Sequence, residues 1–393
     1  LNTLHRLRLR AGFAWDYSPL PAVRAAHAAV ETRVRPFHGV RSTAGPKAPS
    51  LAYAGLRRGT VLIQQQLEHQ REELFPAPEP LREHHRVPRT RLLNGRWTPP
   101  GDLVAVVCSR AQAARLPRRA ALVLPYRLHL VVDVGEGDGS WRYRTAKKER
   151  QWFSARRRTH AWRIDIATDD ASFHDFYDHM HQPTLRARHR ERARTEPRDR
   201  AYECLFRDGL LAFLTDAHGE RLAGLLCHRD ERRATLTMRL IGVRDGAPRL
   251  HALGAQRACV HLLLEWADTH GVRHVDFAGT EAWISKGSFQ WKRKFRPRVT
   301  LPPNYSSEMR LWWHARRDTP AVRDFLTGHP LLEFDPDEPG ALRAVYFHDE
   351  ARPPLTGLPY RCANVSRSRT VHLDGFLQGT PQGGTPEDTA GGI

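Results

Sequence analysis

Three short apolar runs in succession constrain this chain more than any other feature: residues 210–216 (LLAFLTD), 221–228 (RLAGLLCH) and 233–243 (RATLTMRLIGV). The turn-like segments AHG and RDER that separate them leave no room for a crossover, so the strands form an antiparallel meander. Upstream, the strand-like WRIDIAT is followed by Asp169-Asp170-Ala-Ser, a supply of N-cap oxygens. Phe173, Phe176, Tyr177 and Met180 then recur at helical spacing, which predicts an amphipathic helix ending before Pro183. Downstream, a loop with Gly246, Pro248 and Gly254 leads into a helix over 254–270. Ala258, Leu262 and Trp266 share one stripe of it, and Gly271 is placed as its C-terminal cap. His274-Val-Asp-Phe-Ala then reads as a short strand.

The first half mixes both element types. Residues 22–34 are Ala-rich and helical in character, and 61–75 place Ile63, Leu67 and Leu74 on one helical stripe. Six prolines between Phe75 and Asp102 make that stretch loop or sheet edge and not a regular element. The Val- and Leu-rich runs at 102–108 and 121–134 read as strands. The class is α+β. The expected organisation is an N-terminal subdomain over 1–160, a C-terminal subdomain over 161–335, an extension over 336–376 and a disordered tail over 377–393, where Gly, Thr and Pro repeat.

The net charge of +19 is concentrated in three windows. Residues 141–163 carry +8, residues 185–200 carry +4 and residues 283–299 carry +6. Of 62 cations only six are Lys, and five of these (Lys147, Lys148, Lys286, Lys292, Lys294) fall in the first and third windows. Trp141, Trp152, Trp162, Trp283 and Trp291 fall there too. Cations interleaved with aromatic faces suit a polyanion with exposed bases, since charge neutralises phosphate and rings stack. The alternative is a solvated basic face whose Trp residues serve the core.

Five scattered cysteines without a C-x-x-C pair encode neither a disulfide framework nor a zinc site. No apolar run approaches the roughly 18–20 residues needed to cross a bilayer, and LNTLHRLRLRAGFAW lacks the apolar core of a signal peptide, so a cytoplasmic protein without a membrane span is expected.

The segments Ala267 to Gly271, Asp276-Phe277-Ala278-Gly279 and Gly287-Ser-Phe-Gln-Trp291-Lys292-Arg-Lys-Phe295-Arg296 resemble the A-x-x-x-G, D-F-x-G and G-x-x-x-F-K-x-x-F-G motifs of the Fem family of aminoacyl-tRNA-dependent peptidyl transferases. Phe176, Tyr177, Thr184 and Arg188 match that family's F-Y-x-x-x-x-x-T-x-x-R helix entry. Trp291 replaces the usual Phe and Arg296 stands where Gly is expected. The resemblance covers about residues 120–300. It implies tandem GNAT-like subdomains with mixed, largely antiparallel sheets, and an enzyme that transfers an aminoacyl group from aminoacyl-tRNA to an amine: a peptidoglycan precursor or, in relatives, an antibiotic intermediate.

Such a reaction requires a neutral amine, a positioned carbonyl and stabilisation of a tetrahedral oxyanion. Lys292 supplies positive charge, the role assigned to the matching Lys in related enzymes. Asp276 and Glu281 are the candidates for holding the acceptor's ammonium group and taking its proton. Phe176, Tyr177, Thr184, Arg188 and Trp291 are the expected substrate contacts. Arg142, Arg144, Lys147, Lys148, Arg156, Arg157, Arg158, Lys286, Arg293 and Lys294 are the expected tRNA contacts. No metal and no cofactor beyond the tRNA co-substrate is expected. A CoA-dependent N-acyltransferase is the alternative, with Arg249 and Gly254 poorly matching an R-x-x-G-x-G/A pyrophosphate turn. A non-catalytic RNA-binding protein is the third reading.

Overall fold

The meander forms as its pattern requires. In the computed structural model, which describes residues 2–76, 79–135, 138–189 and 195–379, β8 (Leu210–Thr215), β9 (Arg221–Asp230) and β10 (Thr235–Val243) pair antiparallel in succession. They belong to the first of two compact units, made of Leu1–Trp15, His129–Ala278 and Lys294–Arg298. In that unit the strand order runs β6-β11-β10-β9-β8-β7, with β6 (Leu128–Asp133), β7 (Arg163–Ala167) and β11 (His274–Thr280) flanking the meander. The helix Ala255–Thr269 links β10 to β11, and those two strands run parallel. Ala258, Leu262 and Ala267 of that helix are buried, and Gly271 takes a left-handed φ of 71° behind it. Helix, antiparallel meander, helix and parallel strand is the GNAT-like order.

One expectation fails here. Asp169 does cap the helix, accepting from the Ser172 N–H at 2.8 Å, but the helix does not stop before Pro183. It widens into a π turn at Tyr177–His181 and continues as Gln182–His189. Proline lacks an N–H and crowds the preceding turn, and a locally wider turn accommodates it.

The second unit consists of Asp16–Leu128, Gly279–Arg293 and Val299–Ile393. Its larger sheet contains β1 (His38–Thr43), β2 (Leu51–Gly55), β3 (Leu81–Arg86), β4 (Leu103–Ser109), β5 (Ala121–Pro125) and, after the short β12 (Arg298–Thr300), β13 (Met309–Ala315). The order is β3-β1-β2-β4-β13-β5. β1 and β2 are antiparallel, a helical segment over residues 60–74 follows, and β4 then lies parallel to β2. This repeats the first unit's antiparallel pair, helix and parallel strand, so the tandem GNAT-like arrangement is present although the sequence of this half carries no motif for it. The Pro-rich stretch, expected to hold no regular element, supplies β3 and a short helix Arg89–Leu93; its prolines flank the strand, which lies at the sheet edge. β14 (Leu331–Phe334), β15 (Leu342–His348) and β16 (Val365–His372) form a small third sheet.

The run 121–134 is two strands in two different sheets, broken at Tyr126-Arg127, and β13 returns from late in the chain to lie between β4 and β5. The expected cut at 160 falls within the first unit's segment His129–Ala278. Residues 380–393 of the expected tail lie outside the described residues. All five cysteines are free and buried. No helix among the described residues is long and apolar enough to cross a membrane.

Candidate active site

The parallel pairing of β10 with β11 extends over only three residues and ends at Thr237↔Asp276, so Asp276 sits where the two strands part. Ligands of open α/β sheets gather at such strand ends. The Asp276 side chain is buried and fully occupied. One oxygen faces His129 Nδ1 at 2.6 Å, and the other accepts the Ala278 N–H at 2.8 Å. Ala278 has a φ of 57°, which costs an L-residue about 1–2 kcal/mol. The carboxylate therefore holds a strained turn at the end of β11. Because a carboxylate only accepts, Nδ1 is the donor in this contact. His129 is a residue that sequence reasoning missed: it lies in an apolar strand, 147 positions from its partner.

Within the second unit, Gly279 begins a cluster of three cations and one acid. A Cβ on Gly279 would lie 2.7 Å from Arg127 Cζ and 2.8 Å from its Nε, so only glycine leaves room for that guanidinium. Arg127 donates to one oxygen of Glu281 and Lys286 donates to the other. Burial pushes the Glu281 carboxyl up, but Arg127 and Lys286 outweigh it and hold the group below the usual carboxylate range. Glu281 is thus ionised at neutral pH; it orients two cations and is a weak base. Lys292, on the helix Gly287–Arg293, is 8% exposed, and its Nζ donates to the Gly279 carbonyl at 3.3 Å. The neighbouring Tyr126 hydroxyl is buried without a hydrogen-bond partner among the described residues. The set carries three positive charges against one negative, which suits a developing oxyanion or a phosphate. Arg127 gave no signal in the sequence because Glu281 lies 154 positions away.

The other expected contacts fall in different settings. Phe176 is fully buried beside Phe213, and Tyr177 donates to the Glu196 carbonyl at 2.8 Å. Thr184 is buried and its hydroxyl accepts the Val243 N–H at 2.9 Å, tying its helix to the end of β10. Arg188 belongs to the last turn of that helix, and residues 190–194 of its basic window lie outside the described residues. Trp291 is half-buried in the second unit.

Among the expected tRNA contacts, the first unit's helix Lys147–His160 exposes Lys147, Lys148, Arg156 and Arg158, none with an ion-pair partner among the described residues. Arg142 and Arg157 share Glu265, at 3.3 and 2.7 Å, while Arg144 donates to the Asp133 carbonyl. Lys294 lies 3.9 Å from the buried Glu149, which also holds Arg257 and His261. In the second unit Lys286 is bound to Glu281 and Arg293 contacts Gln290 at 3.4 Å. Local charge counting overstated the free cations because acids arrive from distant segments. Trp141, Trp162 and Trp283 are at most 2% exposed, so the expectation that they stack on bases is corrected: they fill cores.

The alternative CoA turn is also visible. A short helix, Pro248–Leu253, passes through Gly254 at φ 84° directly into Ala255–Thr269. A Cβ on Gly254 would lie 2.8 Å from Trp152 Cη2, and the Arg257 guanidinium stands 3.8 Å from the centroid of the same indole. The turn is covered by Trp152 rather than open to an anion. Among the described residues no group of acids, histidines and cysteines could hold a metal.

No family model matches the chain, and no curated protein matches it. Solved structures similar to it include FemX, at 9% identity and a TM-score of 0.37 over 70% of this chain and 83% of that one. L-PGS from Bacillus licheniformis is similar at 11% identity and a TM-score of 0.35, over 78% of this chain and 96% of that one. A GCN5-related N-acetyltransferase from Sphaerobacter thermophilus is similar at 12% identity and a TM-score of 0.26, covering 72% and 78%.

Proposed function

We propose that this chain is an acyltransferase that forms an amide by moving an aminoacyl group from aminoacyl-tRNA to an amine acceptor, a natural-product intermediate or a peptidoglycan precursor. The observation that carries the reading is the Gly279 cluster: a glycine that admits Arg127, an acid that orients Arg127 and Lys286, and a buried Lys292 on the same glycine's carbonyl.

In this reading Lys292, with Arg127 and Lys286, stabilises the negative charge that builds on the carbonyl oxygen as the amine attacks the ester. The attacking amine gives up a proton as the new bond forms. The ester bond to the tRNA breaks, an amide bond forms, and the proton returns to the departing ribose hydroxyl. Glu281 takes the place of a positioning residue, in keeping with its lowered pKa. Lys147, Lys148, Arg156 and Arg158, without ion-pair partners among the described residues, hold the acceptor stem by phosphate contacts.

The covered Gly254 turn favours tRNA over CoA as donor. Filter retention of charged tRNA compared with acetyl-CoA tests this choice. Retention of tRNA that is lost on reversing the four cations supports the reading, and retention of acetyl-CoA alone defeats it.

A further inference from the structure

A second site lies in the second unit, at the strand ends near the edge of its larger sheet. A cleft of about 680 Å³ opens there, lined by Arg86 at the end of β3, by Arg96 and Trp97 from the Pro-rich stretch, and by Arg316 just after β13. The three arginines are exposed and have no ion-pair partner among the described residues. The next residue, Arg317, does pair, with Asp102 at 3.5 Å. Among the described residues no carboxylate lines the cleft. Three arginines line one cleft with no ion-pair partner among the described residues, and a phosphate is the anion whose geometry planar guanidinium forks match.

The cleft also has a built aromatic wall. His85 on β3 faces Gly39 on β1 across the antiparallel pair, and its ring lies over that glycine: a Cβ there would stand 2.6 Å from His85 Cδ2. The imidazole is thereby set edge-on to Trp97, with ring centroids 5.9 Å apart. The half-buried indole is held at the cleft beside the arginines. A cleft of this volume accommodates a ligand of nucleotide size.

We propose that this cleft binds a phosphate ester carried on a planar ring, the chemistry of a nucleotide, with Arg86, Arg96 and Arg316 taking the phosphate and Trp97 the ring. The site shares no residue with the Gly279 cluster and does not depend on the transfer reaction. A free mononucleotide and a nucleotide within an RNA end present the same chemistry.

The test is calorimetric titration of the full chain with AMP, adenosine, inorganic pyrophosphate and a short single-stranded RNA. AMP binds, pyrophosphate competes with it, and adenosine binds at least about tenfold more weakly. The combined Arg86→Gln, Arg96→Gln and Arg316→Gln variant weakens AMP by about a hundredfold or more with an unchanged circular dichroism spectrum. Trp97→Leu weakens AMP by about tenfold and leaves pyrophosphate unaltered. RNA that displaces AMP assigns the natural source to an RNA end; AMP binding without RNA binding assigns it to a free nucleotide. Absence of AMP and RNA binding at millimolar concentration, or AMP binding that survives the triple variant, overturns the proposal. Neither result bears on whether aminoacyl-tRNA is the donor, which the filter comparison reads separately.

Discussion

Replacing Gly279 by Ala tests the geometry of the candidate site with one methyl group. The new Cβ would stand 2.7 Å from Arg127 Cζ, so the two cannot coexist. The guanidinium ends a flexible side chain and can swing away, but only by giving up its bond to Glu281. A hydrogen bond between charged groups is worth about 1.5–3 kcal/mol, so Gly279→Ala should cost about 2–3 kcal/mol. Arg127→Ala breaks the same bond and should cost about the same. The double variant should then cost about 2–3 kcal/mol, not the roughly 5 that independent sites would give. Urea unfolding of the four proteins, with slopes checked for constancy, measures the coupling. Costs that add to within about 0.5 kcal/mol would refute the claim that Gly279 exists to admit Arg127. Turnover supplies a second readout: displacement of the cation by about 1 Å should slow Gly279→Ala by about a hundredfold.

Four further outcomes follow from the same structure. Lys292→Ala should lower turnover by about a hundredfold or more while leaving tRNA retention intact, read by single-turnover kinetics against filter binding; unchanged turnover removes it from the site. Asp276→Asn should lower the unfolding free energy by about 1–3 kcal/mol in urea, because that carboxylate holds both His129 and the Ala278 N–H; an unchanged value removes it from that role. Reversing Lys147, Lys148, Arg156 and Arg158 to Glu should flatten the logarithmic salt dependence of tRNA binding by about 3, whereas Arg157→Gln should change it less because Arg157 is already paired with Glu265. Burial pushes the Glu149 carboxyl up, yet His261 and Arg257 bring it down to about 2 from an ordinary 4.5. A folded value below the unfolded one means stability that is present above about pH 4.5 and lost as pH falls toward 2, at most about 3 kcal/mol. Acid titration of the unfolding free energy should therefore be flatter in Glu149→Gln.

The meander, the Asp169 cap, the long helix and β11 were legible because each is set by residues within a dozen positions of one another. Lys292 was legible through a motif, and Asp276 and Glu281 as carboxylates on a strand and in the loop after it. What escaped is what depends on distant pairing. β13 enters a sheet whose first strand begins at His38, and the run 121–134 divides between two sheets at a point marked only by Pro125-Tyr126-Arg127. Arg127 and His129 were hidden in that run, where alternation with Leu128 and Leu130 reads as strand and nothing more. Charge windows misled for the same reason: Glu265, outside all three windows, pairs with Arg142 and Arg157. Pro183 was read as a stop because periodicity does not announce a π turn.

The most direct measurement is the product itself. Incubating the chain with total charged tRNA and a library of amines, and following both tRNA deacylation and new amide masses by mass spectrometry, should show an aminoacyl group leaving tRNA and appearing on an amine, with Lys292→Ala nearly silent. Transfer from acetyl-CoA with every aminoacyl-tRNA left intact would contradict the account.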